Sequence, residues 1–266
     1  MNLIVPIDFS DQSKSAAEFA ASLIKVQGGT LHLVHVLVPM DNEPDYLPVK
    51  AMASKLNTVF EMYILQEKLR HTYGVRSSCD LMPGDITEQI IAAARRKKSE
   101  LIIMGNQGNS GLRKHLYGSH TASVMEASPI PVLTLPEGFA LKELRRVVYA
   151  TDYSESNLSD IQHIADFARI FDAGISLFHV NEENVPGHFD QSINDFQEMI
   201  REKVDYPHIR FEECTNTDTA EGLRNLLQTQ YADMLVIPNN RKTLVEKITR
   251  NSDDFIFDLD IPVLVY

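Results

Sequence analysis

Apolar and polar positions along this chain follow two rhythms. Short runs such as "NLIVPI" at 2–7, "LHLVHVL" at 31–37, "ELIIMG" at 100–105 and "IPVLTL" at 130–135 are apolar almost throughout. Such runs predict strands buried on both faces. Between them, apolar residues recur every three or four positions. "AAEFAASLIK" sets Ala16, Phe19, Ala20 and Leu23 on one helical face, with Ser10 ahead of it as an N-cap and "GG" at 28–29 as its stop. A long amphipathic stretch, roughly 49–72, carries Leu56, Val59, Ile64 and Leu65 among its apolar positions. A short strand falls near 75–81, and "GDITEQIIAAARR" and "SHTASVMEAS" read as helices. Buried strands separated by helices pair in parallel, and the helices cover both faces of the sheet. The class is α/β, doubly wound.

The pattern is used twice. "VPIDFSDQS" at 5–13 returns as "YATDYSESN" at 149–157, and "GTLHLVHV" at 29–36 returns as "AGISLFHV" at 173–180. "SELIIMGNQG" at 99–108 returns as "ADMLVIPNNR" at 232–241, and "SPIPVLTL" at 128–135 as "LDIPVLVY" at 259–266. Four matches in one order imply a duplicated domain with loops of different length. The joint falls in "LPEGFALKELRR", with Pro136 and Gly138 as breakers. The expected domains are 1–138 and 139–266.

Composition narrows the function classes. The chain has 266 residues, 44% of them hydrophobic and 23% charged, as in a soluble globular protein. No apolar run approaches the ~18–20 residues that span a bilayer. The N-terminus shows no basic region or cleavage site of a signal peptide, and Cys79 and Cys214 lack metal-type spacing. A cytoplasmic setting with both thiols reduced is expected. The net charge of -12 argues against nucleic acid or an anionic membrane as partner. The short basic clusters "RRKK" at 95–98 and "LKELRR" at 141–146 read as solvated helix ends or linker.

The fourth strand leads into "GNQGNSGLRKHLYGS", Gly105 to Ser119. Four glycines fall in these fifteen residues, out of 12 in the chain. Their pattern is Gly105-x2-Gly108-x9-Gly118-Ser119. Bare backbone can approach a ligand closely, successive N–H groups form an anion nest, and the helix opening at Ser119 favours phosphate. Ser119 adds a hydroxyl donor or serves as the N-cap. No G-x4-GK[ST] is present, and "DFSDQS" after the first strand lacks the glycines of a dinucleotide fingerprint. Asp8 ends its strand at the same carboxyl edge. It either meets a ribose hydroxyl or adenine amine, or caps the helix that begins near Asp11.

With this glycine signature met in full, the opening "VPIDFS", the "HVL" of strand two and the closing "SPIPVLTL", the chain resembles the universal stress proteins, as two tandem copies. The resemblance implies, in each half, a five-stranded parallel sheet in the order 3-2-1-4-5 flanked by helices. It also implies an ATP site in the first half formed by Pro6, Asp8, Val36, Gly105, Gly108, Gly118 and Ser119. Mg²⁺ can arrive with the phosphates. The closing strands mediate dimer contacts in the family. Here they imply an internal pseudo-dimer of the two halves, with a homodimer as a further option.

The second half departs from the pattern. Pro238, Arg241 and Asn251 stand where the first half has Gly105, Gly108 and Gly118, while Ser252 matches Ser119 and Asp152 matches Asp8. Proline removes an N–H, and the other two add side chains where bare backbone stood. One nucleotide per chain is expected. His35 and His179 hold matching places at the end of strand two and read as structural. His115 and His120, with Arg113 and Lys114, either approach a triphosphate or are solvated loop residues. "PMDNEPDYLP" at 39–48 is a flap beside the adenine end or an ordinary connection. No catalytic constellation or metal-ligand motif stands out. The expected function is therefore an adenine-nucleotide-binding stress or regulatory module. The alternatives are a slow ATPase and a structural pairing module that binds no nucleotide.

Overall fold

The structure is a computed structural model. It describes residues 1–38, 48–106, 119–139, 144–153, 157–182, 189–216, 219–229, 231–238 and 261–266. The chain divides into two compact units, Met1–Ala140 and Leu141–Tyr266.

In the first unit, β1 (Asn2–Pro6), β2 (Thr30–Leu37), β3 (Ser77–Pro83), β4 (Leu101–Gly105) and β5 (Val132–Leu135) form a parallel sheet in the order β3-β2-β1-β4-β5. Helices α1 (Asp11–Gln27), α2 (Pro48–Tyr73), α3 (Ile86–Arg96) and α4 (Ser119–Ala127) alternate with the strands. The apolar runs explain the core. Leu3, Ile4, Leu31, Leu33, Ile102, Ile103 and Leu133 are fully buried, each stabilising by roughly 1.5–3 kcal/mol relative to exposure.

Local chemistry sets the helix ends. Ser10 Oγ accepts from the Ser13 N–H at 3.1 Å at the start of α1, and Asp85 Oδ1 accepts from the Glu88 N–H at 3.0 Å at the start of α3. At the end of α1, Gly28 takes φ 71° and its N–H donates to the Ile24 carbonyl. Gly29 follows at φ 130°, where a Cβ would lie 1.9 Å from the Met1 carbonyl oxygen.

Helix α2 departs from the simple amphipathic reading. Met62, Leu65 and Leu69 are buried, whereas Leu56, Val59, Phe60, Tyr63 and Ile64 are exposed. The helix carries apolar residues on more than one stripe, and among its described side chains the buried ones are Met62, Leu65 and Leu69.

The second unit repeats the plan. Strands β6 (Arg146–Ala150), β7 (Gly174–Glu182), β8 (Ile209–Asn216), β9 (Met234–Ile237) and β10 (Val263–Val265) pair in parallel in the order β10-β9-β6-β7-β8. Counted from its own first strand, that is again 3-2-1-4-5, as the sequence predicts. Helix α5 (Leu158–Arg169) buries Ile161, Ile164, Ala165 and Ala168. Helix α6 (Phe189–Lys203) buries Phe196 and Ile200. Helix α7 (Thr219–Thr229) lies so close to the sheet that a Cβ on Gly222 would come within 2.7 Å of both Val180 methyls. No described helix is long and apolar enough to cross a membrane.

Candidate functional site

In an open parallel sheet, the carboxyl ends of two strands that lead to opposite sides leave a crevice. In the first unit that switch point lies between β1 and β4, paired through Leu3–Leu101 and Ile4–Ile102. Pro6 is the last residue of β1 and Gly105 the last of β4. Asp8 lies two residues beyond Pro6 and is exposed. Val36 lies near the carboxyl end of β2, opposite Met82 of β3. Ser119 is the first residue of α4. Gly108 and Gly118 lie outside the described residues, as do Arg113, Lys114, His115 and the segment 39–47. His120, the second residue of α4, is exposed.

Asp8 has a definite local task. Its Oδ1 accepts from both the Ser10 N–H at 3.0 Å and the Ser10 hydroxyl at 2.5 Å. Ser10 in turn caps α1. The carboxylate therefore orients the capping serine; the cap itself is Ser10, not Asp8, whose capping the sequence weighed beside ligand contact.

Between Asp8 and Ser10, Phe9 sits at φ 66°, a region that few non-glycine residues enter. Its ring lies 4.9 Å from the ring of His35, and His35 Nδ1–H donates to the Ile7 carbonyl at 2.6 Å. His35 thus binds the end of β1 to β2, a structural role. His179 does the same in the second unit, donating from Nδ1 to the Thr151 carbonyl at 2.9 Å.

At the end of β4, the Gly105 carbonyl accepts from the Thr121 hydroxyl at 3.0 Å, which ties the first turn of α4 to this edge. The Asn106 N–H donates to the Leu135 carbonyl at 2.9 Å. The side-chain oxygen of Asn106 is buried without a hydrogen-bond partner among the described residues. Such an acceptor costs about 1–3 kcal/mol unless a donor reaches it. A ligand hydroxyl or amine arriving at this edge would supply one. Asn106 lies inside "GNQG", but reading that stretch by its glycines alone passes over it. Among the described residues, no group of three or more His, Cys, Asp or Glu side chains could hold a metal ion.

The corresponding edge of the second unit is filled differently. Tyr153 follows the exposed Asp152 at φ 60° and is 7% exposed. Its ring stacks on His179 at 4.6 Å and meets Phe196 of α6 at 5.3 Å. Its hydroxyl donates to Glu213 Oε1 at 3.1 Å, and Asn181 donates to Glu213 Oε2 at 3.1 Å. Burial, reinforced by the Glu213 carboxylate, pushes the Tyr153 phenol well above its ordinary value. Pro238, which stands for Gly105, is buried directly after β9. Arg241, Asn251 and Ser252 lie outside the described residues.

Comparison with known proteins agrees with this architecture. A universal stress protein of Thermus aquaticus is 31% identical over 133 residues, covering 49% of this chain and 95% of that protein. One of Methanocaldococcus jannaschii is 25% identical over 143 residues, covering 50% of this chain and 80% of that protein. The crystal structure of a universal stress protein from Archaeoglobus fulgidus superposes over 99% of this chain and 95% of its own, with a TM-score of 0.73 at 19% identity. That likeness spans both repeats and shows a shared fold. The family model described as universal stress protein matches residues 1–136, slightly more than half of the chain. The chain belongs to the universal stress protein family.

Proposed function

We propose that the first unit binds one adenine nucleotide, ATP, at the carboxyl edge of its sheet, and that the chain works as a nucleotide-dependent stress or regulatory module. One observation carries this reading. The pattern Gly105-x2-Gly108-x9-Gly118-Ser119 follows a central strand at the switch-point edge, while the second repeat keeps the strand and loses the glycines. The fold alone therefore does not require them.

In this reading, Gly105, Gly108 and Gly118 let main-chain N–H groups approach the phosphates, and the N–H groups opening α4 at Ser119 add the positive end of a helix. Asp8 faces the ribose or the adenine amine, because a carboxylate beside a triphosphate would repel it. Pro6 and Val36 border the base. The orphaned Asn106 oxygen fits a hydroxyl-bearing ligand. Mg²⁺ enters with the phosphates and takes few protein ligands.

The chemistry proposed for this edge is binding. A nucleotide that prefers one of two conformations shifts their populations, and partner choice follows. The proposed setting is a reducing cytoplasm, where the thiols of Cys79 and Cys214 stay unpaired. The test is the nucleotide released on denaturing freshly purified protein, followed by calorimetric titration of stripped protein with ATP. One site per chain is expected, lost in Gly108→Arg, which copies the second repeat. A stoichiometry near two, or unchanged affinity in Gly108→Arg, would overturn the assignment.

A further inference from the structure

The second unit has a cleft of about 450 Å³ at the opposite, amino edge of its sheet, over the starts of β6, β7 and β8. The internal repeat explains why it exists. In the first unit the same sheet positions are filled. Thr30 donates to Asn2 Oδ1, and the His32 ring joins Thr30 Oγ1 at 3.3 Å to Ser78 Oγ at 2.5 Å. Asp80 is held at 3.0 and 3.2 Å by Arg96 and Lys97 from the end of α3.

By the repeat and the strand register, Asn2, Thr30, His32, Ser78 and Asp80 correspond to Arg146, Gly174, Ser176, Arg210 and Glu212. Thr30 has become a bare glycine, and a small serine replaces the histidine ring. Helix α7 carries Thr229 where α3 carries Arg96. The positive charge comes from the strands instead.

Three features give the cleft its chemistry. Arg146 clamps Glu212 with two hydrogen bonds at 2.7 and 3.0 Å, which neutralises that carboxylate. Arg210 reaches the cleft from the edge strand β8 and makes no ion pair among the described residues. Ser176, directly beside Arg210 in the register, is only 2% exposed, and its hydroxyl has no hydrogen-bond partner among the described residues. A third arginine, Arg145, also lines the cleft; its N–H and that of Arg146 both donate to Asp233 Oδ2 at 2.8 Å, which fixes the start of β6. The remaining ionisable groups on the lining are the exposed Asp172 and its neighbour His208, 3.5 Å apart.

We propose that this cleft is an anion site for a small phosphorylated molecule, its phosphate held by Arg210 and the Ser176 hydroxyl. A phosphate has enough acceptor oxygens to engage a bidentate guanidinium and a hydroxyl together, whereas one bidentate guanidinium already occupies a carboxylate. The volume lies within the ~300–1,000 Å³ range of small-molecule sites, which leaves room for an organic group beside the phosphate. "LKELRR", read from sequence as a solvated linker, thus ends in two residues that line a cleft.

The test is calorimetric titration of the full chain in phosphate-free buffer with inorganic phosphate, and separately with glycerol 3-phosphate. Saturable binding is expected. It should weaken at least about tenfold in Arg210→Ser, the loss of a charged hydrogen-bond donor, and vanish in Gly174→Thr/Ser176→His. Both changes copy the first unit, and a Cβ on Gly174 would meet only ordinary contacts, at 3.6 Å or more. Arg210 is exposed, so its variant keeps the test open if the double variant fails to fold. Tighter binding of the ester assigns the organic group to the cleft, and equal binding assigns phosphate itself. Absence of binding, or equal binding in Arg210→Ser, overturns the proposal. So does binding abolished by Gly108→Arg alone, because the anion would then be in the glycine loop.

Discussion

The ring of Phe9 lies 4.9 Å from that of His35, and its main chain takes φ 66° to put it there. The second unit repeats the pair as Tyr153 and His179, at 4.6 Å and φ 60°. In both, the histidine Nδ1–H donates to a main-chain carbonyl two residues before the aromatic, at Ile7 or Thr151. Glycine is the usual occupant of positive φ. The recurrence of an aromatic residue there means that the ring contact outweighs the strain.

The two copies are predicted to differ in how much they depend on that ring. Tyr153 packs on His179 and Phe196 and bonds Glu213, whereas Phe9 is half-buried. Tyr153→Gly removes a packed aromatic, a loss of ~3–5 kcal/mol, and relieves ~1–2 kcal/mol of left-handed strain. A net destabilisation of about 1–4 kcal/mol is expected, and a smaller one, about 1 kcal/mol or less, for Phe9→Gly. Urea midpoints of the two full-length variants measure the difference, and equal shifts would show that the two clasps carry the same load.

Much of this architecture is legible in the sequence because it depends on local pattern. The runs "NLIVPI" and "ELIIMG" carry no alternation and so announce strands buried on both faces. Ser10 and Gly28 mark the ends of α1 by their chemistry. The duplication shows that Gly105, Gly108 and Gly118 are dispensable to the fold, since Pro238, Arg241 and Asn251 replace them. What the sequence hides depends on neighbours distant along the chain. The burial of the Asn106 oxygen is settled by packing at the end of β4. The left-handed turn at Phe9 is settled by a ring 26 residues away at His35. The cleft over β7 exists because Ser176 and Arg210 share a register row and Gly174 stands two residues before Ser176 on the same face, and no linear spacing reveals that. On α2, Leu56 and Leu65 look alike in sequence, and only the packing decides which is exposed.

Asp8 is predicted to serve two purposes that one substitution separates. Asp8→Asn keeps a side-chain oxygen for the Ser10 N–H and hydroxyl but removes the charge that strengthens both bonds, so a stability loss of up to about 1 kcal/mol is expected. Charge-assisted hydrogen bonds are about twice as strong as neutral ones, so ATP should bind roughly tenfold more weakly. Thermal melts and calorimetry on the same preparation read the two effects. Lost stability with unchanged ATP affinity would leave Asp8 with the helix cap alone.

The adjacent glycines after α1 should respond unequally to alanine. At Gly28 a Cβ meets nothing within 4 Å, and only the positive φ of 71° opposes it, a cost of about 1 kcal/mol. At Gly29 the Cβ would fall 1.9 Å from the Met1 carbonyl oxygen. That carbonyl accepts the Thr30 N–H at 2.9 Å, the bond that starts the β1–β2 ladder. Gly29→Ala must therefore shift main chain and is expected to cost more than about 3 kcal/mol. Chemical denaturation of the two variants should show this order, and comparable losses would mean that the first residues of β1 yield without disturbing the sheet.

Asp160, in the first turn of α5, gives a pH-dependent prediction. Burial pushes its carboxyl above the ordinary value, against the opposing pull of the Ser159 hydroxyl, His163 and the Tyr149 hydroxyl. Burial likewise pushes the neighbouring Tyr266 phenol upward, with Asp160 and Asp166 adding to the effect. A carboxyl whose folded value lies above its unfolded one holds its proton more tightly in the folded state. Stability therefore falls as pH rises from the unfolded value, about 3.9, through the folded one, and stays lower at neutrality. Asp160→Asn should raise the melting temperature at pH 7 and lose that advantage as pH falls well below the unfolded value of about 3.9, where the parent carboxyl is protonated in both states. A variant less stable than the parent at pH 7 would show that the ionised carboxylate, beside the Ser159 hydroxyl at the helix start, contributes more than its burial costs.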